Sequence, residues 1–355
     1  LLVASGMVAH AMRYQSQVVT GLAFLFAFAT VGVSHDTAFT LSAGLVLAIA
    51  SATIAVRMHW FQLEVGAIVA TYINHFLWLP ILGSSTPEQA LPRFYSSLAL
   101  LVVYWLTFRA SYVARRRVTP EDEQWSALGA VLNTGGVMVV ANQYPLNPGL
   151  IFSALLALGA ADALFAQFVR ARRIAFVTLV TMSVALVAAA FPFKFGAGTV
   201  SLAWLIEAEA LVMIGLRTRD GLFTRLGVIA SALAGMHVFA ADVAPLFDAR
   251  GSVWPHPSDP VLAFILMAVA AVYYINGLAV MPSRLDAFPL DFERVLADKL
   301  SYAGAAALLG AAWALLPSPW LAPAFLAIAL ALLLLARRLT SEDLWIQGQG
   351  AAFLG

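Results

Sequence analysis

The chain has 355 residues, of which 62% are hydrophobic and 11% are charged, and its formal net charge is +1. Soluble domains carry about 25% charged residues, so the composition excludes a soluble enzyme, a disordered chain and a nucleic-acid-binding protein. The chain contains no cysteine, which removes disulfides, thiolate metal sites and cysteine nucleophiles. A polytopic membrane protein is the class that remains.

Apolar runs long enough to cross a bilayer follow one another along the whole chain. A spanning helix needs about 20 apolar residues, and about 28 to 30 residues per helix and connector give about twelve spans. We predict these spans at 18–33, 38–56, 61–82, 94–114, 125–144, 147–170, 174–196, 200–217, 222–246, 260–282, 295–316 and 320–337. The predicted fold is all-α, a transmembrane helical bundle forming a single domain over 1–355, and both ends are expected to continue into a longer protein.

In this predicted arrangement of spans, positive charges divide unevenly between the two sides of the membrane. With spans numbered from 18–33, 17 of the 20 Lys and Arg residues fall on one side, and only Arg93, Lys194 and Arg250 fall on the other. Because basic turns stay on the cytoplasmic side, we predict cytoplasmic arginine-rich turns. The same turns recur after the even-numbered spans, which indicates a helical hairpin of about 50 to 60 residues repeated along the chain.

Local signals refine the boundaries and contacts of these helices. Thr119-Pro120-Glu121-Asp122 predicts a helix start, with a capping threonine, proline at the first position and acids in the first turn. In the 222–246 span, small residues recur every four positions, at Gly227, Ser231 and Gly235. This spacing predicts close contact with another helix. The longest predicted connectors are 83–93, 247–259 and 283–294.

Ionisable residues in or near the spans are the candidate functional residues, because each charge at a helix centre costs about 2.5 to 3.5 kcal/mol on insertion scales. They are Glu207, Glu209, Asp162, His75, Glu64 and His237. Glu207 and Glu209 are two residues apart, or about 200° of helix rotation, so they cannot pair with each other. Both can avoid lipid only if protein surrounds their helix or if one of them is protonated.

Two further patterns indicate how the polar residues are accommodated. In the 61–82 span, one face carries a polar stripe, Glu64, Thr71 and His75, beside a seam of small residues, Gly66, Ala70 and Asn74. Asp162 is expected to pair with an arginine or an asparagine on another helix, such as Asn133 or Asn276. Structural pairing and a hydrated pathway both remain open as explanations, and no catalytic or metal-ligand motif is present.

Two stretches resemble a known family. Residues 203–217 contain Trp–x–x–Glu–Ala and end in Gly-Leu-Arg, with Arg-Leu-Gly following at 225–227, and residues 69–74 resemble Gly-Thr-Tyr-Leu-Asn. These features resemble the bacterial multi-pass proteins catalogued as domain of unknown function 2339. The resemblance implies an integral protein of the bacterial inner membrane with no assigned activity. Glu209 is an additional acid relative to that family, and Ala208 stands where glycine is common.

Three functions are compatible with these features. A structural or assembly component of a membrane complex would have its buried acids enclosed by helices. A carrier or lipid-handling transporter would have a water-accessible cavity reaching them, and a membrane-embedded transferase would have an acid and a histidine near one point. The expected partners are membrane lipids and other membrane subunits, with no nucleic acid; the sequence does not indicate a cofactor.

Overall fold

The computed structural model of the chain is built of helices. It describes residues 6, 13, 15–33, 37–83, 87–115, 119–143, 148–246, 259–283, 285–288 and 290–355. Within these ranges there is no strand, which confirms the all-α prediction. The chain divides into two compact units, Leu1–Ala190 and Phe191–Gly355.

Unit 1 contains seven α-helices among its described residues. They are α1 (Gln17–Val33), α2 (Thr37–Met58), α3 (Phe61–Gly83), α4 (Pro87–Ala114), α5 (Pro120–Ala141), α6 (Pro148–Phe168) and α7 (Arg173–Ala190). Helix α3 packs against α2 and α5, and α6 forms a hairpin with α7. Helix α3 therefore lies between neighbours on more than one side, which explains why it can carry polar residues.

Unit 2 contains seven more α-helices in the described ranges. They are α8 (Ala197–Thr218), α9 (Gly221–His237), α10 (Pro260–Ile275), α11 (Asp291–Asp298), α12 (Leu300–Leu315), α13 (Leu321–Leu339) and α14 (Glu342–Leu354). Two of them continue into π-helical segments, α9 into Val238–Val243 and α10 into Asn276–Val280. Helix α8 packs against α9, α10 packs against α12, and α13 packs against α14.

The helices are compatible with a multi-pass membrane protein. Eight of the described helices are long and apolar enough to cross a membrane, or nine if α11 and α12, which are bent by 43°, count as one span. All twelve predicted runs form helices, but α1 has only 17 residues, and α3 and α5 are not among the eight. Helices α3 and α5 both carry buried polar residues. These residues lower the mean hydropathy of the two helices although the bundle encloses them. The count of twelve spans stays a prediction.

The predicted helix start at Thr119 is confirmed, whereas the first long connector is shorter than predicted. The backbone amide of Asp122 donates to Thr119 Oγ1 at 3.2 Å, and Pro120 occupies the first helical position. Helix α4 begins at Pro87 rather than near 94, since proline is also favoured at the first turn. Similarly, α11 begins at Asp291, inside the predicted connector 283–294.

Close contact along the glycine seam of α9 is confirmed. A Cβ atom added to Gly227 would lie 2.8 Å from the carbonyl oxygen of Ala208 on α8. On the same seam, Tyr273 of α10 donates a hydrogen bond to the Ser231 carbonyl oxygen at 2.6 Å, and a Cβ on Gly235 would collide with the Tyr273 hydroxyl. The absence of side chains at these glycines lets α9 approach both neighbours.

Candidate functional site

Asp162 of α6 forms a buried ion pair with Arg109 of α4. Arg109 Nε lies 2.8 Å from Asp162 Oδ1, Nη2 donates to Oδ2 at 3.1 Å, and both side chains have no exposed surface. Arg109 Nη2 also donates to Thr134 Oγ1 on α5 at 2.5 Å, and the guanidinium lies 5.2 Å from the centroid of the Trp105 ring. The two-point contact with Asp162 neutralises both charges inside the unit, and together with the bond to Thr134 it connects three helices.

The expected arginine partner of Asp162 is confirmed, whereas the two asparagines named as alternatives bond to other residues. Arg109, which falls within the predicted span 94–114, lies inside α4 and is fully buried. Asn133, named as an alternative partner, accepts from the Tyr72 hydroxyl at 2.7 Å, and Asn276 bonds to Glu209. Sequence position near a helix end does not reveal that a guanidinium turns inward to a carboxylate.

Glu64 of α3 pairs with Arg115, which follows the last residue of α4. Arg115 Nη2 donates to the Glu64 carboxylate, Nη1 donates to the Ser126 hydroxyl on α5, and Nη2 contacts Ser111 Oγ at 3.3 Å. The guanidinium also stacks over Phe61, 4.3 Å from the ring centroid. Glu64 is 3% exposed and Arg115 is 6% exposed, so this pair is also enclosed by protein.

A third arginine–carboxylate pair, between Glu123 and Arg172, was missed at the sequence level. Arg172 Nη2 lies 2.8 Å from Glu123 Oε1 and 3.0 Å from Oε2. Its Nη1 donates to the carbonyl oxygens of Tyr112 and Arg115 at 3.0 and 3.1 Å, where α4 ends. The predicted helix start extends only over Thr119-Pro120-Glu121-Asp122 and does not include Glu123, the next residue.

The polar stripe of α3 faces protein. Glu64, Thr71 and His75 are 3%, 1% and 1% exposed, as expected for one buried helix face. His75 Nε2 lies 2.9 Å from Ser97 Oγ, and its ring meets the Tyr104 ring edge-on at 5.7 Å between centroids. The stripe therefore serves contacts within unit 1.

The small-residue seam predicted beside this stripe is only partly present. Gly66 is exposed, and a Cβ atom there would meet nothing within 4 Å, so its predicted role in helix packing is wrong. Ala70 is half-buried. Asn74 does contact α1, since its Nδ2 donates to the Phe28 carbonyl oxygen at 3.0 Å and a Cβ on Gly32 would lie 2.8 Å from Asn74 Oδ1.

In unit 2, His237 belongs to a hydrogen-bonded chain at the start of the first π-helical segment. Ser201 Oγ donates to Asp242 Oδ2 at 3.0 Å and lies 2.9 Å from His237 Nδ1. Because the hydroxyl proton goes to the carboxylate, the imidazole N–H donates to the hydroxyl oxygen. The i, i+5 repeat of the π-helix brings His237 and Asp242 to the same serine. The chain differs from a nucleophile–base pair, in which the imidazole accepts the serine proton.

Glu207 and Glu209 are both half-buried on α8. Asn276, at the start of the second π-helical segment, donates from Nδ2 to Glu209 Oε1. Glu207 makes no hydrogen bond or ion pair with the described part of the chain. The two acids of unit 2 therefore differ from Glu64 and Asp162, since neither has an arginine partner among the described residues.

Helices α12 and α14 are joined by a more exposed polar contact. Lys299 Nζ lies 2.9 Å from Asp343 Oδ1, and the Tyr302 hydroxyl donates to the same oxygen at 2.8 Å. Partial burial raises the pKa of Asp343, but the hydrogen bonds from Lys299 and Tyr302 outweigh it and hold that pKa below its ordinary value. This contact fixes the start of α14 to the start of α12.

Two grooves lie away from the candidate residues. One, of about 530 Å³, is lined by α13 and α14, including Arg337 and Trp345. The other, of about 280 Å³, is at the start of α5 and includes Thr119 and Arg172. None of Glu64, His75, Asp162, Glu207, Glu209 and His237 lines either groove.

The arrangement thus separates two kinds of polar group. Unit 1 encloses its candidate acids in ion pairs with arginine, whereas unit 2 leaves Glu207 and Glu209 half-buried, with Glu209 bonded to the first residue of a π-helical segment. Comparison with known protein families, with curated proteins and with solved structures finds no match for this chain.

Proposed function

We propose that this chain is a structural or assembly component of a membrane complex in the bacterial cell envelope, and that it belongs to the family it resembles, domain of unknown function 2339. The observation that carries this proposal is the set of three arginine–carboxylate pairs in unit 1, Arg109–Asp162, Arg115–Glu64 and Arg172–Glu123. Each pair joins separate segments of the chain. Glu64 and Asp162 line neither of the two grooves, whereas Glu123 and Arg172 lie in the wall of the smaller one.

Enclosed pairs support a structural role more than a transport role. A carrier needs an acidic group that can exchange a proton or an ion, but Asp162 and Glu64 are each held by a guanidinium and are at most 3% exposed. Buried pairs give little net stability compared with apolar packing, but a helix out of register with its partner would leave a buried charge unpaired, which is strongly destabilising. Their proposed purpose is to fix the register of α3, α4, α5 and α6 for assembly.

We further propose a bacterial inner-membrane location with about twelve spans and cytoplasmic arginine-rich turns. The uneven distribution of Lys and Arg supports this orientation. The outer face of α13 supports contacts with lipids or other membrane subunits, since Leu326, Leu330 and Leu334 recur every four residues and are 50 to 59% exposed. Such a leucine stripe is suited to an apolar environment.

Isolation of the full-length protein from its native membrane under mild detergent tests the structural role. A structural component should co-purify with a membrane protein partner in fixed proportion. Glu207→Gln serves as the control, because Glu207 is not part of the ion-pair set, and this variant should retain the partner. A Glu207→Gln protein that remains folded and assembled but abolishes uptake or export of a solute in cells would contradict the proposal.

A carrier is the second candidate function, and unit 2 favours it. Glu207 and Glu209 lie inside the candidate span 198–218 while remaining half-buried, and π-helical segments often occur at functional sites. The same Glu207→Gln comparison separates the two candidates, since the carrier loses transport and the structural component does not.

A further inference from the structure

The contact between Glu209 and Asn276 leaves one polar atom without a partner. Asn276 Nδ2 donates to Glu209 Oε1, which uses the amide as a donor. The amide oxygen, Asn276 Oδ1, is buried and has no hydrogen-bond partner among the described residues, and the residue is 1% exposed. Buried amide oxygens are normally hydrogen-bonded, so this oxygen requires a donor.

None of the ion pairs in the described part of unit 2 includes Glu209. The cations that form ion pairs there are Arg225, Arg294 and Lys299, and they bind Glu293, Asp291, Asp298 and Asp343. Glu209 lies in the middle of an apolar helix, where an unpaired carboxylate is disfavoured. An ionised Glu209 would therefore leave both its own charge and the Asn276 oxygen uncompensated.

We propose that Glu209 and Asn276 form a proton-binding site, in which the protonated carboxyl group of Glu209 donates to Asn276 Oδ1 while accepting from Asn276 Nδ2. One added proton satisfies the remaining acceptor and removes the charge, and the two groups close a cyclic acid–amide pair. Release of the proton leaves a carboxylate and breaks only the hydrogen bond to Oδ1, so the Nδ2 contact can hold the pair together in both states.

The surroundings suit a group that gains and loses a proton. Asn276 starts the π-helical segment 276–280, so the site lies where the hydrogen-bond pattern of the α10 span changes. Gly277, the next residue, packs so closely on Ser301 of α12 that a Cβ atom would lie 2.8 Å from the Ser301 amide nitrogen. The amide is thus fixed by two helices, while Glu209 is half-buried.

The other titratable groups near this site either point away from Glu209 or bond to other residues. On α8, Glu207 points about 200° away from Glu209. On α9, His237 is bound to Ser201, and on α10 Tyr273 and Tyr274 donate their hydroxyl protons to other acceptors, the Ser231 carbonyl oxygen and Gln347. Asn276 is therefore the described group that bonds the Glu209 carboxyl.

Infrared spectroscopy of the full chain in lipid nanodiscs at neutral pH tests this site directly. The spectrum of the wild-type protein minus that of Glu209→Gln should contain one C=O stretching band of a protonated carboxyl group. Glutamine can donate to Asn276 Oδ1 and accept from Nδ2, so this variant should fold. Glu207→Gln is the matched control on the same helix and should keep the Glu209 band.

A second variant tests the role of the amide. Asn276→Ala should move the Glu209 band to higher frequency, because the carboxyl group loses both hydrogen bonds. A Glu209-dependent band of an ionised carboxylate at neutral pH would overturn the proposal. Protection of wild-type protein against thermal unfolding by Na⁺ but not by choline, lost in Glu209→Gln, would also overturn it by assigning a metal cation to the site. The test is independent of co-purification, so it can fail while the structural role stands.

Discussion

At the scale of single residues, the chain places full charges where no water is expected. Arg109 and Asp162 are completely buried, and Arg115 and Glu64 are nearly so. Each guanidinium has a carboxylate, a hydroxyl and an aromatic face around it, which replaces much of its hydration. The charges are tolerated because they occur in matched pairs, and removal of one partner leaves the other buried and unpaired.

The Asp162→Asn substitution should therefore destabilise the protein strongly. It leaves the Arg109 charge without a carboxylate, which costs about 3 to 5 kcal/mol when a buried pair is broken. Thermal or denaturant unfolding in detergent measures this loss. The control is Asp291→Asn, which breaks an exposed pair with Arg294 and should change stability by less than about 0.5 kcal/mol. Equal effects of the two substitutions would show that the Arg109–Asp162 pair has no special role.

Sequence reasoning identified Glu64 and Asp162 as acids that need explanation, but it missed Glu123 and did not identify the particular arginines that pair with them. The burial of Glu64, Asp162 and His75 follows from one-sided spacing on apolar helices, which a single sequence displays. The partners Arg109 and Arg115 lie 53 and 51 residues away from Asp162 and Glu64 along the chain. Pairing at that separation depends on helix rotation and tilt, which apolar periodicity determines only loosely.

At the scale of helices, glycine position decides which pairs of helices approach closely. Gly227 lets α9 pack onto the backbone of α8, whereas Gly66 on α3 faces outward with no neighbour within 4 Å. Both glycines occur in apolar helices and look alike in the sequence. Both predicted seams have three residues at four-residue spacing, so the spacing alone does not show which glycine meets another helix.

Alanine substitution at these two glycines should have opposite effects. Gly227→Ala forces a Cβ to within 2.8 Å of the Ala208 carbonyl oxygen, so α8 and α9 must separate, at a cost of about 1 to 3 kcal/mol. Gly66→Ala meets open space and should stabilise α3 by about 0.5 to 1 kcal/mol through reduced backbone entropy. Unfolding midpoints of the two variants provide the measurement, and destabilisation of similar size in both would refute the packing difference.

Helix boundaries and irregular helical turns were less predictable than helix existence. The start of α4 at Pro87 could have been anticipated from the preference of proline for the first turn. The π-helical segments after His237 and Ile275 could not, because the residues in them do not follow a pattern that distinguishes a π-helix from a continuing α-helix. The bend of 43° between α11 and α12 similarly depends on how these helices meet their neighbours.

At the scale of the whole molecule, the ion pairs alter how the charge asymmetry is interpreted. Arg109, Arg115 and Arg172 are bound to carboxylates of unit 1, so they are poor indicators of a cytoplasmic turn. Without them, 14 basic residues still fall on the predicted inner side, against 3 on the outer side. The predicted orientation therefore does not depend on the buried arginines.

The absence of native cysteine makes the orientation directly measurable. Single cysteines at Thr218 and Thr340, exposed at the ends of α8 and α13, should be protected from a membrane-impermeant maleimide in intact cells. Cysteines at Lys194 and Ser318, exposed at the opposite ends of predicted spans, should be labelled once the outer membrane is permeabilised. Because each pair brackets one helix, Lys194 with Thr218 and Ser318 with Thr340, labelling of both members from the same side would remove that helix from the set of spans. The reverse pattern at all four positions would keep the spans and invert the predicted orientation.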